Sequence, residues 1–108
     1  MSKKVLITGA SGLLGLELLR YLNSFNFNVV GTYNNNRSLT DNRFKNLKCD
    51  VGNIKSVALL SQKIGKISEI FHCASMTSID QCEKNKEACW QSNVIGTRNM
   101  VELARKNK

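Results

Sequence analysis

Three glycines spaced three residues apart constrain this chain more than any other feature. Gly9, Gly12 and Gly15 follow the apolar segment 5–7 and Thr8, in a chain that contains only seven glycines. Glycine adopts positive φ without strain and lets another group come close to the bare backbone. An apolar run, a glycine turn and a leucine-rich segment in this order predict a strand that passes through a tight turn into a helix.

Composition is typical of a globular protein with one domain. Of the 108 residues, 42% are hydrophobic and 22% are charged, which suits one small core over residues 1–108. The N-terminal segment has too few apolar residues for a signal peptide, and no later run approaches the ~20 residues of a membrane span. We therefore expect a cytoplasmic protein with no membrane partner.

The basic charge of the chain is spread rather than clustered. The sequence has 16 Lys and Arg against 8 Asp and Glu, for a net charge of +8. Basic residues recur singly or in pairs, and no basic strip is interleaved with aromatic residues. We therefore predict a solvated basic surface that attracts anionic ligands, and no nucleic-acid partner.

The cysteines indicate neither a metal site nor a disulfide. Cys49, Cys73, Cys82 and Cys89 form no Cys-x-x-Cys pair, and His72 is the only histidine, so a zinc ligand set is missing. Cys82 and Cys89 are expected on one helical face, two turns or about 10 Å apart, which is too far for a disulfide. We expect buried, reduced thiols.

The hydrophobic pattern predicts alternating strands and helices. Strands are predicted at 4–8, 28–32, 47–50 and 69–74, and helical segments at 13–23, 54–64, 78–83 and 85–106, with a polar, poorly ordered loop at 33–46. Asn53 is predicted as the N-cap of the second helix. This order is typical of an α/β protein of the Rossmann type, with a doubly wound parallel sheet and right-handed crossovers. The expected strand order is 3-2-1-4, in a truncated version of the fold.

Two helices have patterns that predict how they pack. The first helix carries leucines at positions 13, 14, 16, 18, 19 and 22, almost all round, which predicts that it is largely buried. In the last helix, Trp90, Val94, Thr97, Val101 and Ala104 recur at intervals of four, three, four and three. This spacing predicts a single apolar face.

The glycine turn has a physical explanation in this fold. At the carboxyl end of the central strand, Gly9 permits the tight turn, Gly12 lets a pyrophosphate approach bare backbone, and Gly15 allows the helix to pack closely on the first strand. The free N–H groups of the helix N-terminus would face the phosphates, and Ser11 could add a hydroxyl donor. The alternative is a structural strand-to-helix turn with no ligand.

The segment ITGASGLLG at 7–15 resembles the cofactor loop of the extended short-chain dehydrogenase/reductase superfamily, which acts on sugar nucleotides. Three more segments fit this family in order: CDVGN at 49–53, HCASMTSIDQCE at 72–83 and NVIGTRNMVELA at 93–104. The second of these is similar to the stretch after strand 4 in dTDP-4-dehydrorhamnose reductases and their relatives, which include the regulatory subunit of methionine adenosyltransferase. The resemblance spans all 108 residues.

The resemblance implies a dinucleotide site. In the family pattern, Gly9, Ser11, Gly12, Leu13 and Leu14 would surround the pyrophosphate, Asp50 and Val51 the adenine, and Cys73, Ala74 and Ser75 the floor under the ribose and nicotinamide side. Asp50 could instead cap a turn. Asn93 could either support a proton relay or tie the last helix to a strand through backbone hydrogen bonds.

The end of the second strand favours NADP(H) over NAD(H). An NAD site normally carries Asp or Glu there, roughly 20 residues beyond the glycines, on the ribose 2′-hydroxyl. Here the sequence 31–37 ends in Asn-Asn-Asn-Arg37, and the next carboxylate is Asp41. The missing anion removes repulsion against a 2′-phosphate, for which Arg37 is a bidentate partner. The alternative is that Arg37 is a solvated charge.

No catalytic residue is assigned in this chain. The family's chemistry uses a Tyr with a Lys four residues later, whereas Phe25 follows Tyr21 and Arg37 follows Tyr33 at that distance. We expect the N-terminal part of a longer sugar-nucleotide reductase that passes hydride to a 4-keto sugar, inactive by itself. The alternatives are a non-catalytic regulatory subunit that binds a dinucleotide, and an NAD-dependent epimerase or dehydratase of the same branch.

Strand 69–74 is expected at an uncovered apolar edge of the sheet, which is a template for pairing with another chain. We predict a homodimer or aggregate through this edge. Light scattering at high protein concentration measures the mass, and a strict monomer would contradict the prediction.

Overall fold

The computed structural model describes residues 3–76 and 78–107; Met1, Ser2, Thr77 and Lys108 lie outside the described residues. Its elements are β1 (Lys4–Thr8), α1 (Leu13–Asn23), β2 (Asn28–Tyr33), a 3₁₀ turn (Arg37–Leu39), β3 (Lys45–Lys48), α2 (Ile54–Ile64), β4 (Glu69–His72), α3 (Ile79–Lys84), α4 (Lys86–Trp90), a π-helical turn (Gln91–Ile95) and α5 (Gly96–Lys106).

The four strands form one parallel sheet in the order β3-β2-β1-β4. On the central strand, Leu6 lies opposite Val30 of β2 and Ile70 of β4. Parallel strands covered by helices on both faces are apolar on both faces, and the last four residues of β1 are all buried. The predicted α/β class and strand order are confirmed, and β4 is an edge strand.

Alternate residues of the strands enter two separate apolar layers, because successive side chains point to opposite faces of a sheet. Leu6 and Val30 pack with residues of α2 and α5. Val5 and Ile7 pack on the other face with Leu19 of α1. The α2–α5 layer is the larger of the two, so most of the core lies on that side.

The prediction that α1 is largely buried is wrong. Only Gly15 and Leu19 of this helix are buried, and Leu13 and Leu14 are 89% and 69% exposed. The physical reason is that α1 alone covers its face of the sheet among the described elements. Its outer side therefore faces solvent, whatever side chains it carries.

The predicted apolar face of the last helix is also wrong. Trp90 and Val101 are 59% and 52% exposed, whereas the buried face of α5 carries Asn99, Met100 and Leu103. The packing face includes a polar residue, since Asn99 donates its Nδ2 hydrogen bond to the Val51 carbonyl at 2.8 Å. A prediction from apolar residues alone therefore selects the wrong face of the helix, because it leaves out Asn99.

Strand boundaries shift by two residues at the carboxyl edge. The third strand is Lys45–Lys48 rather than 47–50, and β4 ends at His72 rather than at 74. The predicted N-cap of α2 is confirmed, because Asn53 Oδ1 accepts from the backbone N–H groups of Lys55 and Ser56 at 2.9 and 3.2 Å. The backbone beyond β3 and β4 is thus free to line the edge.

The distance argument against a disulfide is wrong. Cys82 and Cys89 are joined by a disulfide, with their Cα atoms 5.2 Å apart. The distance argument assumed one continuous helix, but the chain leaves the helical conformation at Asn85, which has φ −140° and ψ 80°. Asn85 ends α3 and caps α4, accepting from the Ala88 N–H at 3.0 Å. Cys49 and Cys73 are free thiols, buried and half-buried respectively.

The polar loop after β2 is anchored by one carboxylate. The side chain of Asp41 is only 6% exposed and accepts from Arg20 Nε of α1 at 3.0 Å and from an Arg43 guanidinium nitrogen at 2.6 Å. Hydrogen bonds from the Arg43 side chain and backbone, and then from Arg20, hold the pKa of Asp41 well below its usual value. Asp41 therefore ties this loop to α1.

No helix in the described ranges is both long enough and apolar enough to span a membrane.

Replacing Asp41 with Asn tests this anchor. The depressed pKa means that the carboxylate stabilises the folded state above its unfolded-state pKa, and that this contribution is lost as the pH falls towards the folded-state pKa. We expect Asp41→Asn to lower the urea midpoint near pH 7, with a smaller difference from the wild type near pH 3. Urea unfolding followed by circular dichroism measures both.

The matched control is Glu102→Gln, which removes an ion pair to Arg105 whose two side chains are 50% and 71% exposed. Exposed pairs of this kind contribute little to stability. An Asp41→Asn variant that behaves like Glu102→Gln at both pH values would contradict the anchoring role.

Candidate functional site

The turn from β1 into α1 is closed by a glycine whose surroundings leave no room for a Cβ. Gly9 has φ 70°, in the left-handed region that disfavours residues with a Cβ. A Cβ at this position would lie 2.8 Å from both the Ala74 nitrogen and the Cys73 carbonyl carbon. The first turn and the segment after β4 therefore touch through backbone atoms.

The start of α1 packs directly against the same turn. A Cβ on Gly15 would overlap the carbonyl oxygen of Gly9, so the helix packs on the turn just beyond the first strand. Gly12 is the N-cap, with φ −87° and ψ 168°, and its N–H donates to Gly9 O at 3.0 Å. Within the described residues, no side chain caps this helix and no acidic residue lies in its first turn.

An uncapped helix N-terminus attracts anions. The first N–H groups of a helix have no intrahelical acceptor, and the aligned peptide dipoles place partial positive charge there. At α1 these groups follow a turn that carries no side chain at Gly9 or Gly12. The geometry fits a phosphate or pyrophosphate, the ligand predicted from the glycine spacing.

A cavity of about 670 Å³ opens at the carboxyl edge of the sheet, beside this turn. Its lining comes from the segments that follow all four strands, and from α3, α4 and the π-helical turn. In doubly wound sheets, ligands bind in such a crevice outside the carboxyl ends of the strands.

Most of the predicted site residues meet in this cavity. It is lined by Gly9, Ser11, Gly12, Asp50, Val51, Cys73, Ala74 and Ser75. The remaining four, Leu13, Leu14, Gly15 and Arg37, do not line it. The side chains of Leu13 and Leu14 extend into solvent, so only their backbone N–H groups are suited to an anion at the turn. Arg37 belongs to an exposed 3₁₀ turn between two lining residues, Asn36 and Leu39.

Several lining residues were missed by the sequence analysis. Asn34, Asn35 and Asn36 follow β2 directly, and the rule that ligands bind at the carboxyl ends of parallel strands would have found them. Gln91 and Ser92 carry no comparable signal, because their place at the cavity depends on how the last helix packs. Gln91 donates to the Gly52 carbonyl at 2.6 Å, which closes one wall.

Asp50 caps a turn, which is the alternative interpretation of this residue, and it can still accept a hydrogen bond from a ligand. Its Oδ1 accepts from the Gly52 N–H at 3.1 Å, and its backbone N–H donates to Ser56 Oγ at 2.9 Å. The residue is exposed and lines the cavity. One carboxylate oxygen remains available to a ligand donor.

A polar contact joins the ends of β1 and β4. Thr8 Oγ1 accepts from the Ala74 N–H at 3.1 Å and lies 2.7 Å from His72 Nδ1. Burial lowers the pKa of His72, so the imidazole is neutral near pH 7. The contact positions the backbone of Ala74 against Gly9 and has no acid–base partner in the described part of the cavity.

Asn93 holds the loop after β4. Its Oδ1 accepts from the Met76 N–H at 2.7 Å, and its Nδ2 donates to the Met76 carbonyl at 2.9 Å and to Cys89 Sγ at 3.4 Å. Of the two interpretations of Asn93, these contacts match the backbone tie, although the partner is the loop rather than the strand itself.

The described residues around the cavity are suited to binding a polar ligand. Burial raises the pKa of the Cys49 and Cys73 thiols, which keeps them protonated and weakly nucleophilic. Within residues 3–76 and 78–107, no cluster of three or more His, Cys, Asp or Glu residues is suited to a metal ion. What remains is a backbone anion site with polar side chains around a crevice.

Gly9→Ala tests the close contact in the turn. The matched control is Gly65→Ala, because Gly65 has a nearly equal φ of 67° but nothing within 4 Å of the point where a Cβ would lie. Gly65 has ψ −144°, in a backbone region used almost only by glycine, so we expect Gly65→Ala to cost about 2 kcal/mol of unfolding free energy. We expect Gly9→Ala to cost about 2 kcal/mol more because of the overlap with Ala74. Urea unfolding of both variants measures the difference, and equal losses would contradict the contact.

Comparison with known proteins gives one family match and several structural neighbours. The family model described as the NAD dependent epimerase/dehydratase family matches residues 5–108. UDP-glucose 4-epimerase of Thermus thermophilus, solved with NAD, superposes with a TM-score of 0.85 at 19% identity, over 96% of this chain and 34% of that one. At this identity the likeness shows the fold.

Two further relatives are closer in sequence. dTDP-4-dehydrorhamnose reductase of Bacillus anthracis str. Ames, solved with NADP, is 31% identical with a TM-score of 0.75, over 98% of this chain and 33% of that one. The spore coat polysaccharide biosynthesis protein SpsK of Bacillus subtilis is 31% identical over 86% of this chain and 28% of its own length.

The chain thus spans about a third of the length of these relatives. The match over residues 5–108, together with the sheet order and the glycine turn, shows that the chain belongs to the NAD dependent epimerase/dehydratase family.

Proposed function

We propose that this chain is the NADP(H)-binding part of a sugar-nucleotide reductase similar to dTDP-4-dehydrorhamnose reductase. The observation that carries the proposal is the bare backbone turn at Gly9 and Gly12, which opens with an uncapped helix N-terminus onto the carboxyl-edge cavity. The turn is an anion site at the place where doubly wound folds bind dinucleotides.

The residues of the cavity fit the parts of a dinucleotide. The turn residues and Ser11 would hold the pyrophosphate, and Asp50 with Val51 would hold the adenine. Cys73, Ala74 and Ser75 would lie beneath the ribose and nicotinamide. When bound, the cofactor would supply hydride transfer, and the protein would orient it and exclude water from one face.

The end of β2 supports NADP(H) over NAD(H). The only carboxylate that lines the cavity among the described residues is Asp50, beyond β3, and Asp41 is committed to Arg20 and Arg43. The residues that line the cavity after β2 are therefore neutral, with Arg37 beside them. A 2′-phosphate would meet no anion among these described residues and would have one cation within the same loop.

The reaction itself would need groups outside this chain. The relatives are about three times as long, and the Tyr and Lys that the family's chemistry uses have no counterpart at the required spacing here. We propose that the full-length protein passes hydride to a 4-keto nucleotide sugar, with this chain contributing the cofactor.

A second candidate is an NAD-dependent sugar-nucleotide epimerase of the same family. The observation in its favour is the family model that matches residues 5–108, whose description names NAD dependent epimerases and dehydratases. The two candidates differ in cofactor, so the cofactor preference of this chain separates them.

Binding of a dinucleotide is tested with two variants at Gly12. Gly12 has an extended backbone, and a Cβ there would contact only Gly9 O, at 3.3 Å. Gly12→Ala and Gly12→Asp both add this Cβ, but only Asp adds a negative charge where the pyrophosphate would lie. Asp also caps a helix well, so the Asp variant should be at least as stable as the Ala variant.

We expect Gly12→Asp to bind NADPH about tenfold more weakly than Gly12→Ala, because the added carboxylate repels the phosphates and occupies the helix N–H groups. Titration followed by NADPH fluorescence measures both dissociation constants. Equal affinities, or no saturable binding by the wild type, would show that the turn is structural only.

Arg37→Ala tests the cofactor preference. Loss of a charge-assisted partner should weaken NADPH binding about tenfold and leave NADH binding unchanged. Arg105→Ala is the control, because it removes the same charge from an exposed site on α5. If Arg37→Ala binds NADPH as tightly as the wild type, the NADP(H) assignment is wrong, and the result favours the epimerase candidate.

A further inference from the structure

The disulfide Cys82–Cys89 joins two short helices that have little apolar burial to stabilise them. The described side chains of α3, with six residues, and of α4, with five, include none that is buried. Apolar burial, the main source of helix stability in proteins, therefore contributes little here. The disulfide links two residues seven positions apart, across the break at Asn85.

These two helices form one wall of the cavity. Gln81, next to Cys82, and Ala88, next to Cys89, both line it. Segments with few buried contacts open locally at low free energy. A covalent link between α3 and α4 thus restricts a part of the cavity wall that has no buried side chain among its described residues.

The sulfur atoms also reach the loop after β4. Asn93 Nδ2 donates both to the Met76 carbonyl and to Cys89 Sγ. Cys82 Sγ lies 3.6 Å from the same Met76 carbonyl. In the disulfide, Cys82 carries no proton to donate, whereas a Cys82 thiol would offer one to this carbonyl. Reduction would therefore change the hydrogen bonding of Met76, which lines the cavity.

We propose that Cys82 and Cys89 form a reversible thiol–disulfide exchange site, reactive towards small dithiols and small disulfides, that sets the order of the cavity wall. Its effect on cofactor affinity rests on the proposed dinucleotide function. Both cysteines are half-buried, so a small reagent has access. The oxidised form orders α3 and α4 before the ligand arrives, and the reduced form must order them on binding.

The exchange is balanced in both directions. A thiolate of a small dithiol attacks one sulfur, which breaks the Cys82–Cys89 bond, forms a mixed disulfide and releases the other cysteine as a thiolate. The second thiol of the reagent, as its thiolate, then displaces the cysteine held in the mixed disulfide. The protein disulfide gains two electrons and two protons, and the dithiol becomes a cyclic disulfide. In the reverse direction, the two cysteine thiols convert one molecule of glutathione disulfide into two of glutathione.

The first test counts thiols in denaturant after treatment with glutathione disulfide or with dithiothreitol. We expect two reactive thiols in the oxidised protein, those of Cys49 and Cys73, and four in the reduced protein. Four thiols after glutathione disulfide treatment would overturn the proposal, because the pair would then not exchange.

The second test is amide hydrogen exchange over residues 79–91, which needs no cofactor. We expect reduction to speed exchange in this segment and to leave the amides of β1 unchanged. The double variant Cys82→Ser/Cys89→Ser should exchange at the reduced rate under both conditions, which excludes an effect through Cys49 or Cys73. Equal exchange of the oxidised and reduced wild type would overturn the proposal.

The third test is NADPH affinity in the two redox states. We expect reduction to raise the dissociation constant about fivefold in the wild type, and to have no effect in the double variant. Equal affinities of the two forms would overturn the effect on the site. If neither form binds NADPH or NADH, the proposed function is wrong, and the exchange rates over 79–91 alone decide whether the wall responds to reduction.

Discussion

The structure depends on the backbone contact between the first turn and the end of β4. Gly9 lies between Gly15 of α1 on one side and Ala74 on the other, with no space for a Cβ towards either. This contact lets α1 start close to the sheet and brings the loop after β4 to the same edge. This part of the cavity therefore forms where three backbone segments meet without side chains between them.

Asparagine side chains do much of the remaining positioning. Asn53 caps α2, Asn85 caps α4 and ends α3, and Asn93 holds Met76 at two atoms. Asn99 reaches the Val51 carbonyl from within the core. An amide both donates and accepts, so one side chain can satisfy a backbone group in a loop that lacks a ladder partner. The loops around the cavity are therefore ordered by polar contacts more than by apolar burial.

The sequence predicted well what depends on local pattern. Strand order and the N-cap at Asn53 follow from apolar runs and residue preferences, and the family resemblance implied that Gly12, Asp50 and Ala74 belong to one site. It failed where a choice depends on the neighbours that an element meets. Leu13 and Leu14 of α1 are exposed because one helix covers that face, and α5 packs through Asn99 because a buried carbonyl needs its amide.

The amino-acid sequence by itself determined the α/β class, the parallel sheet and a first turn open to an anion, because glycine spacing and apolar periodicity are properties of neighbouring residues. Tertiary structure alone decided which helix faces are buried, that Gln91 reaches the cavity, and that Cys82 and Cys89 are joined. The last case shows the reason most clearly. In one continuous helix, seven residues of separation would place the two sulfur atoms too far apart to bond. The backbone conformation at Asn85 interrupts the helix and brings the two Cα atoms to 5.2 Å.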